Sequence, residues 1–288
     1  MIITKLSGGL GNQLFQYAVG RAVAERHKVP LKFDITAYET YALHNGFRLD
    51  QFNINAAVAG PKEINELKGS DFFISKALRK SGLKNKKTFY AEKERTVYDP
   101  QVFASPARYL EGYWQNEQYF LNIRETILQE LRPRFSLSVN ARDYQDSILN
   151  NNAVSIHVRR GDYFKHPEIG VLDVAYYKNG VEYIENRVGS PKFFIFSDDL
   201  EWCKANLKFI PKPIFVEGTE TEIDDLILMS HCKHNIVANS SFSWWGAWLN
   251  KNEAKLVIAP KEWLAINPNG YKWAPRGWIE ISKVQKKA

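Results

Sequence analysis

From residue 153 onward the chain repeats one pattern: a short apolar run, a polar or glycine turn, then apolar residues spaced three and four apart. Ala153–Val158, Phe193–Phe196, Pro213–Val216, Asn235–Ala238 and Leu256–Ala259 read as strands, the last as the final one. Between them, Val174–Arg187, Asp199–Leu207, Glu222–Ser230 and Phe242–Leu249 read as helices. Strands separated by helical crossovers pair in parallel, and a run of such units builds a doubly wound sheet with helices on both faces. In such a sheet ligands bind beyond the carboxyl ends of the strands, so the turns that follow each strand are where function is sought.

The first half carries the same rhythm less regularly. Ile2–Leu6 reads as a strand and Ser7–Asn12 as a glycine turn. A helix is expected from Gln13 to His27, with Leu14, Phe15, Ala18, Ala22 and Val23 on one face. Pro30 closes it, and Leu31–Ile35 reads as the next strand. Further on, Pro61–Lys68 reads as a helix, Arg108–Trp114 as a strand entering a loop, and Glu117–Arg132 as an amphipathic helix ended by Pro133. The polar stretch Ser136–Asn151 lacks strong periodicity and is the expected boundary, giving an α/β domain over 1–145 and another over 146–288. A length of 288 residues suits two domains of that size.

Composition narrows the classes of partner. At 44% hydrophobic and 14% aromatic the chain has the material for packed cores, which excludes global disorder. A net charge of +7 and a pI near 9.1 suit an anionic ligand, whether nucleic acid, an acidic membrane surface or a nucleotide diphosphate. Lys76, Arg79, Lys80, Lys84, Lys86 and Lys87 form a basic run without an acidic residue, a candidate for peripheral contact with the inner membrane surface. Two cysteines, Cys203 and Cys232, without a zinc-like His pattern give no disulfide or structural-metal framework. The opening residues read as a strand, not a signal peptide, and no apolar run approaches the ~18 residues of a membrane span. The expectation is a soluble, cytoplasmic protein.

Four strand-end segments carry candidate chemistry. In Ser7–Gln13 the glycines at 8, 9 and 11 allow a sharp turn and close ligand approach, and a helix start offers unpaired amides to an anion. A third fingerprint glycine would fall at Leu14, and there is no P-loop lysine, so neither dinucleotide motif is present. Asn12 and Gln13 are side-chain amides suited to a sugar. His157–Tyr163 places two arginines in a turn, and guanidinium meets phosphate bidentately. Alternation along the strand puts His157 and Arg159 on one face, so Arg159 is assigned to phosphate and Arg160 to an ion pair with an acidic neighbour. Ser197-Asp198-Asp199 offers paired carboxylates that suit a divalent metal, a guanine edge, or a helix cap. Asn239-Ser240-Ser241-Phe242-Ser243 gathers hydroxyls at a helix start, with Phe242 placed to stack on a base.

Gly8-Gly-Leu-Gly-Asn-Gln-Leu-Phe-Gln-Tyr-Ala18, His157-Val-Arg-Arg-Gly-Asp-Tyr163 and Ser240-Ser-Phe-Ser-Trp-Trp-Gly-Ala247 together resemble the motifs of the bacterial α-1,2-fucosyltransferases, glycosyltransferase family 11. The resemblance implies a GT-B fold of two Rossmann-like domains facing a cleft, with donor held by the second half and by the first glycine loop. It implies GDP-β-L-fucose as donor, no cofactor or metal, and inverting transfer to the 2-OH of a galactose-terminated or lipid-linked glycan in surface glycan or O-antigen synthesis. It makes His157 and Arg159 donor-binding residues, with Arg159 on the pyrophosphate, and Asp198, Ser240, Ser241 and Phe242 nucleotide contacts. The local chemistry above adds Gly9, Gly11, Asn12, Gln13 and Asn239 as substrate-binding candidates. The base that takes the acceptor proton is left between His157 and Asp162, while Asn12 orients substrate without accepting a proton. The competing readings are a GDP-sugar transferase of another linkage and a non-catalytic glycan- or nucleic-acid-binding module. The fucosyltransferase reading expects no nucleic-acid partner.

Overall fold

A computed structural model describes residues 1–40, 45–69, 87–266 and 272–282. The basic run from Lys76 lies outside the described residues except for Lys87. Contacts divide the chain into two compact units, Met1–Arg134 and Phe135–Ala288.

In the first unit, β1 (Ile2–Lys5), β2 (Leu31–Asp34), β3 (Ala57–Val58), β4 (Phe89–Ala91) and β5 (Arg108–Glu111) form a sheet in the order β3-β2-β1-β5-β4, every pairing parallel. Helix α1 (Leu10–His27) begins three residues ahead of the expected Gln13, so Gly11 and Asn12 lie in its first turn. It buries far more than one stripe: Leu14, Phe15, Tyr17, Ala18, Val19, Val23 and Ala24 are all sealed. Gly20 makes this close seating feasible, because a Cβ there would lie 2.2 Å from Thr4 Oγ1 and 2.9 Å from Leu31 Cδ1. Lys28, at φ 54°, ends the helix in a left-handed cap. Helix α2 (Pro61–Lys68) lies where expected.

The stretch 117–132 is not one helix. Two short 3₁₀ turns, Glu117–Tyr119 and Leu121–Ile123, precede α3 (Arg124–Glu130). Asn116 caps the first turn by accepting from the Gln118 amide at 2.9 Å, and Phe120 at φ −137° breaks the spiral. The break lets successive aromatics enter the core, with Tyr119 5.5 Å from Trp114 and Phe120 6.0 Å from Phe15 between ring centroids. Tertiary packing here overrides a helical pattern.

The second unit begins earlier than the expected 146. The polar segment read as a boundary forms α4 (Val139–Leu149), whose Ser138 accepts from the Ala141 amide. Its Ala141 and Ile148 pack with Phe194, Leu228 and Met229, and that burial draws it to the second sheet. The sheet comprises β6 (Asn152–Val158), β7 (Pro191–Ser197), β8 (Ile214–Phe215), β9 (His234–Ile236), β10 (Val257–Pro260) and β11 (Ile279–Ile281). The order is β11-β10-β9-β6-β7-β8, again with parallel pairings. Strand β11 was not anticipated because its three residues alternate with an exposed Glu280 and lack an apolar run.

Alternation along β6 and β7 splits the core in two. Val154, Ile156, Val158, Phe193 and Ile195 face one cluster, sealed by α5 (Val174–Glu185) and by Cys203 of α6 (Leu200–Asn206). Ala153, Phe194 and Phe196 face the other, with α4 and α7 (Glu222–His231). Helix α8 (Ser241–Leu249) follows β9 and buries Trp244, Trp245 and Trp248. The chain runs outward from β6 through β7 to β8, then returns to β9 beside β6 and runs the other way. That reversal places a topological switch point between β6 and β9, where open α/β sheets bind ligands.

Candidate functional site

Three of the four sequence-predicted segments meet at the carboxyl ends of β7, β6 and β9. The central one, Arg159–Tyr163, leaves β6 and is clamped from β7: Asp198 accepts from the Arg160 amide at 2.9 Å and the Gly161 amide at 3.1 Å. Gly161 suits this clamp, since a Cβ on it would lie 2.8 Å from Asp198 Oδ2. On the β9 side, Tyr163 donates to the Asn239 carbonyl at 3.1 Å, and burial pushes its phenol up to about 12.

The two arginines, just past the end of β6, meet different partners. Arg160 lies 3.2 Å from Asp199 Oδ2, with its guanidinium 3.9 Å from the Trp202 ring centroid. Asp199 also caps α6 by accepting from the Trp202 amide, so the carboxylate pair divides into a cap and a loop clamp. Arg159 is held between Asp162 at 2.9 Å and Asp198 at 3.2 Å, and its side chain stays about a quarter exposed (26%). A fixed, reachable guanidinium at a switch point is suited to an anion. Among the described residues no group of three or more His, Cys, Asp or Glu is arranged to hold a metal.

His157 lies at the buried end of β6, 5.6 Å from Phe242 between ring centroids. Burial, with the Arg159 charge beside it, pulls its pKa down to about 3, so the imidazole is neutral near pH 7 and a weak base. Its Nδ1 is buried and makes no hydrogen bond among the described residues. The serines differ in role. Ser240 precedes α8 as its cap residue, and Ser241 opens the helix half-buried. Ser243 turns inward and accepts from the Ala238 amide at 2.9 Å. Asn239 is also internal: its Nδ2 donates to the carbonyls of Gly170 at 2.9 Å and Trp263 at 3.0 Å. Asn239 thereby ties three loops together through Nδ2, while its buried Oδ1 has no partner among the described residues.

The fourth segment belongs to the first unit. Gly8, at φ 77°, makes the turn that the glycine-rich sequence calls for, and Gly9 is the cap residue of α1. Gly11 is buried in the first turn, whereas Asn12 is partly exposed. Gln13 is sealed (0% exposed) and its amide is consumed by the protein. It donates to the carbonyls of Gly8 and Gly46 and accepts from the Arg48 amide at 2.9 Å. Gln13 thus braces the turn instead of reaching a ligand. Gln16, which sequence reasoning passed over, does the same for Ser7 and for the Gly112 carbonyl. Its one signal was position, one helical turn after Asn12 and Gln13.

The model of glycosyl transferase family 11 matches residues 1–268. The chain is 38% identical over 295 residues to an Escherichia coli protein named alpha-1,2-colitosyltransferase, covering 98% of this chain and 99% of that one. It is 32% identical over 304 residues to the Escherichia coli O-antigen biosynthesis glycosyltransferase WbnK, with 96% and 99% covered. Human galactoside alpha-(1,2)-fucosyltransferase 1 is 27% identical over 195 residues, spanning 60% of this chain and 52% of that one. A mutant of Arabidopsis thaliana FUT1, solved in complex with GDP, shares the fold at a TM-score of 0.51 and 11% identity, covering 91% of this chain and 71% of that one. The two Rossmann-like α/β units are those of the GT-B fold class. A family match across nearly the whole chain, with two bacterial relatives aligned over almost their full lengths, makes this protein a glycosyltransferase of family 11.

Proposed function

We propose that the protein transfers L-fucose from GDP-β-L-fucose to the 2-hydroxyl of a terminal galactoside, with inversion, in the assembly of a surface glycan. The observation that carries this reading is Arg159, fixed at the β6/β9 switch point beside the start of α8. Breaking the fucosyl–phosphate bond leaves negative charge on the diphosphate and positive charge on the sugar. Arg159 replaces its contact to Asp162 by the pyrophosphate, and the unpaired amides at the start of α8 with the Ser241 hydroxyl take further phosphate oxygens. Phe242 and the neutral His157 line the nucleotide side. Asp198 serves by holding the Arg159 loop. Of the two candidate bases, the buried, weakly basic His157 yields to Asp162, whose carboxylate is about one-third exposed (35%). Because protein groups supply the positive charge, added EDTA is expected to leave the rate unchanged.

A second donor is favoured by the 38% identity to a protein named for colitose, a sugar that lacks one ring hydroxyl of fucose. A site that hydrogen-bonds that hydroxyl rejects the deoxy sugar by about 10⁴-fold, whereas one that does not discriminates weakly. Incubating lactose with GDP-fucose or GDP-colitose, then assigning the product linkage by NMR, tests both readings. A 2-linked fucosyl product is the expected outcome, and absence of transfer from either donor overturns the proposal.

No helix among the described residues is long and apolar enough to cross a membrane. We propose cytoplasmic action on a galactose-terminated or lipid-linked acceptor, with Lys76–Lys87 as the membrane-facing segment. A sedimentation assay with anionic vesicles checks the latter.

A further inference from the structure

In the first sheet the chain runs outward from β1 through β2 to β3, then returns to place β5 on the other side of β1. The β1/β5 boundary is therefore this unit's own switch point. Two loops leave it, the Gly8 turn from β1 and residues 112–116 from β5. Gln16 bridges Ser7 and the Gly112 carbonyl, and a second side-chain link has Gln115 Nε2 donating to Asn12 Oδ1 at 2.9 Å.

That bond has a polarity. With Oδ1 occupied, the partly exposed Asn12 amide is left to present its N–H groups. Nδ2 has no acceptor among the described residues, and it borders the bare face of Gly8, where a Cβ would lie 2.7 Å from it. Gln115 is 93% buried (7% exposed), and its Oε1, on the carbon that bears the donating nitrogen, is sealed without a partner. A buried orphan acceptor is a cost, and folding alone gives no reason to keep it. The β5 loop is also held firmly, since Glu92, directly after β4, accepts from the amides of Tyr113 at 2.7 Å and Trp114 at 2.9 Å. A Cβ on Gly112 would lie 2.3 Å from Glu92 Cβ. This repeats the Asp198 clamp on the Arg160–Gly161 loop: a carboxylate just past one strand holds two successive amides past its neighbour.

We infer that Gln115 is a positioning residue that fixes the Asn12 side-chain amide with its N–H groups turned to the Gly8 turn, ready to donate to an oxygen of a bound sugar. The inference rests on the glycosyl-transfer reading. The sugar is either the transferred one or the acceptor, and the same chemistry serves both.

The test compares Gln115→Ala, Gln115→Glu and Asn12→Asp with wild type, measuring kcat and the KM of the GDP-sugar and of lactose separately. Glutamate only accepts, so Gln115→Glu turns the Asn12 amide over and is expected to lower kcat/KM roughly 100-fold. Asn12→Asp keeps the Gln115 bond but offers an oxygen in place of the donor, and is expected to match that loss. Gln115→Ala frees the amide to rotate and is expected to lose only about tenfold. A loss confined to lactose KM assigns the acceptor as the sugar, and one confined to GDP-sugar KM assigns the donor. Equal losses in both Gln115 variants, or wild-type kinetics in Gln115→Glu, overturn the inference. If wild type uses neither GDP-fucose nor GDP-colitose, the transfer reading fails, and the Asn12 side-chain ¹⁵N–H resonances in wild type decide the inference alone. They are expected to shift on adding methyl β-galactoside or GDP-fucose, and no shift with either probe overturns it.

Discussion

Arg159 Nε lies 3.2 Å from Asp198 Oδ2, and Asp198 holds the two amides that follow Arg159 in the chain. One carboxylate from β7 therefore fixes both the guanidinium and the backbone that carries it.

Arg159→Ala is expected to lower kcat by roughly 10³-fold, the cost of removing one preorganised group that stabilises developing negative charge. Arg159→Lys is expected to recover little, because an ammonium cannot span two phosphate oxygens. Steady-state kinetics with circular dichroism as the folding control checks this. Near-normal turnover in the alanine variant removes Arg159 from its assigned role.

Gly161→Ala is expected to impair donor binding while leaving the fold intact. The new Cβ would lie 2.8 Å from Asp198 Oδ2, and the carboxylate, at the end of a flexible side chain, moves aside. That movement breaks its bonds to the Gly161 amide and to Arg159. Calorimetric titration with GDP should show affinity lower by about tenfold or more, the worth of a charge-assisted hydrogen bond. Asp198→Ala should reproduce the loss.

Ser241 and Ser243 should separate under alanine substitution. Ser243→Ala strands the buried Ala238 amide and is expected to destabilise by about 1–3 kcal/mol, with KM unchanged. Ser241→Ala is expected to raise the GDP-sugar KM with an unchanged melting temperature. Thermal melts beside kinetics read both quantities.

Acid should weaken the fold through His157. Its folded pKa, about 3, lies below the ordinary value of 6.5, so the unfolded chain binds the proton first as pH falls. The contribution of neutral His157 is complete above pH 6.5 and is lost as pH drops toward 3, by up to roughly 1.4 kcal/mol per unit. Urea denaturation at pH 7.5 and pH 5 should show a smaller drop in His157→Asn than in wild type. An equal drop in both places the acid sensitivity elsewhere.

The candidate site was partly readable because its backbone frame is local. Arg160 pairs with an acidic neighbour, Asp199, but Arg159 is paired as well, with Asp162 and Asp198, and strand alternation does not reveal those partners. Side-chain direction after a turn is not local. Asn239 and Gln13 have the same polar chemistry as Asn12, yet they spend their amide nitrogens on carbonyls of distant loops, while Ser243, unlike Ser241, turns back on the Ala238 amide. Nothing in a run such as Asn-Ser-Ser-Phe-Ser reveals which hydroxyl faces inward.

The sequence by itself determined the parallel α/β class, most strand and helix positions in the second half, and the strand ends that bear the candidate chemistry. These follow from periodicity and glycine turns within a few residues. Tertiary structure decided what depends on contacts between distant segments. It set the strand orders that create switch points at β6/β9 and β1/β5, drew α4 to the second unit, and broke the helix expected at 117–132. It also buried His157, which shifts its proton affinity, and brought Gln115 to Asn12 across 103 residues. Burial and long-range pairing are properties of the assembled sheet, and no local pattern records them.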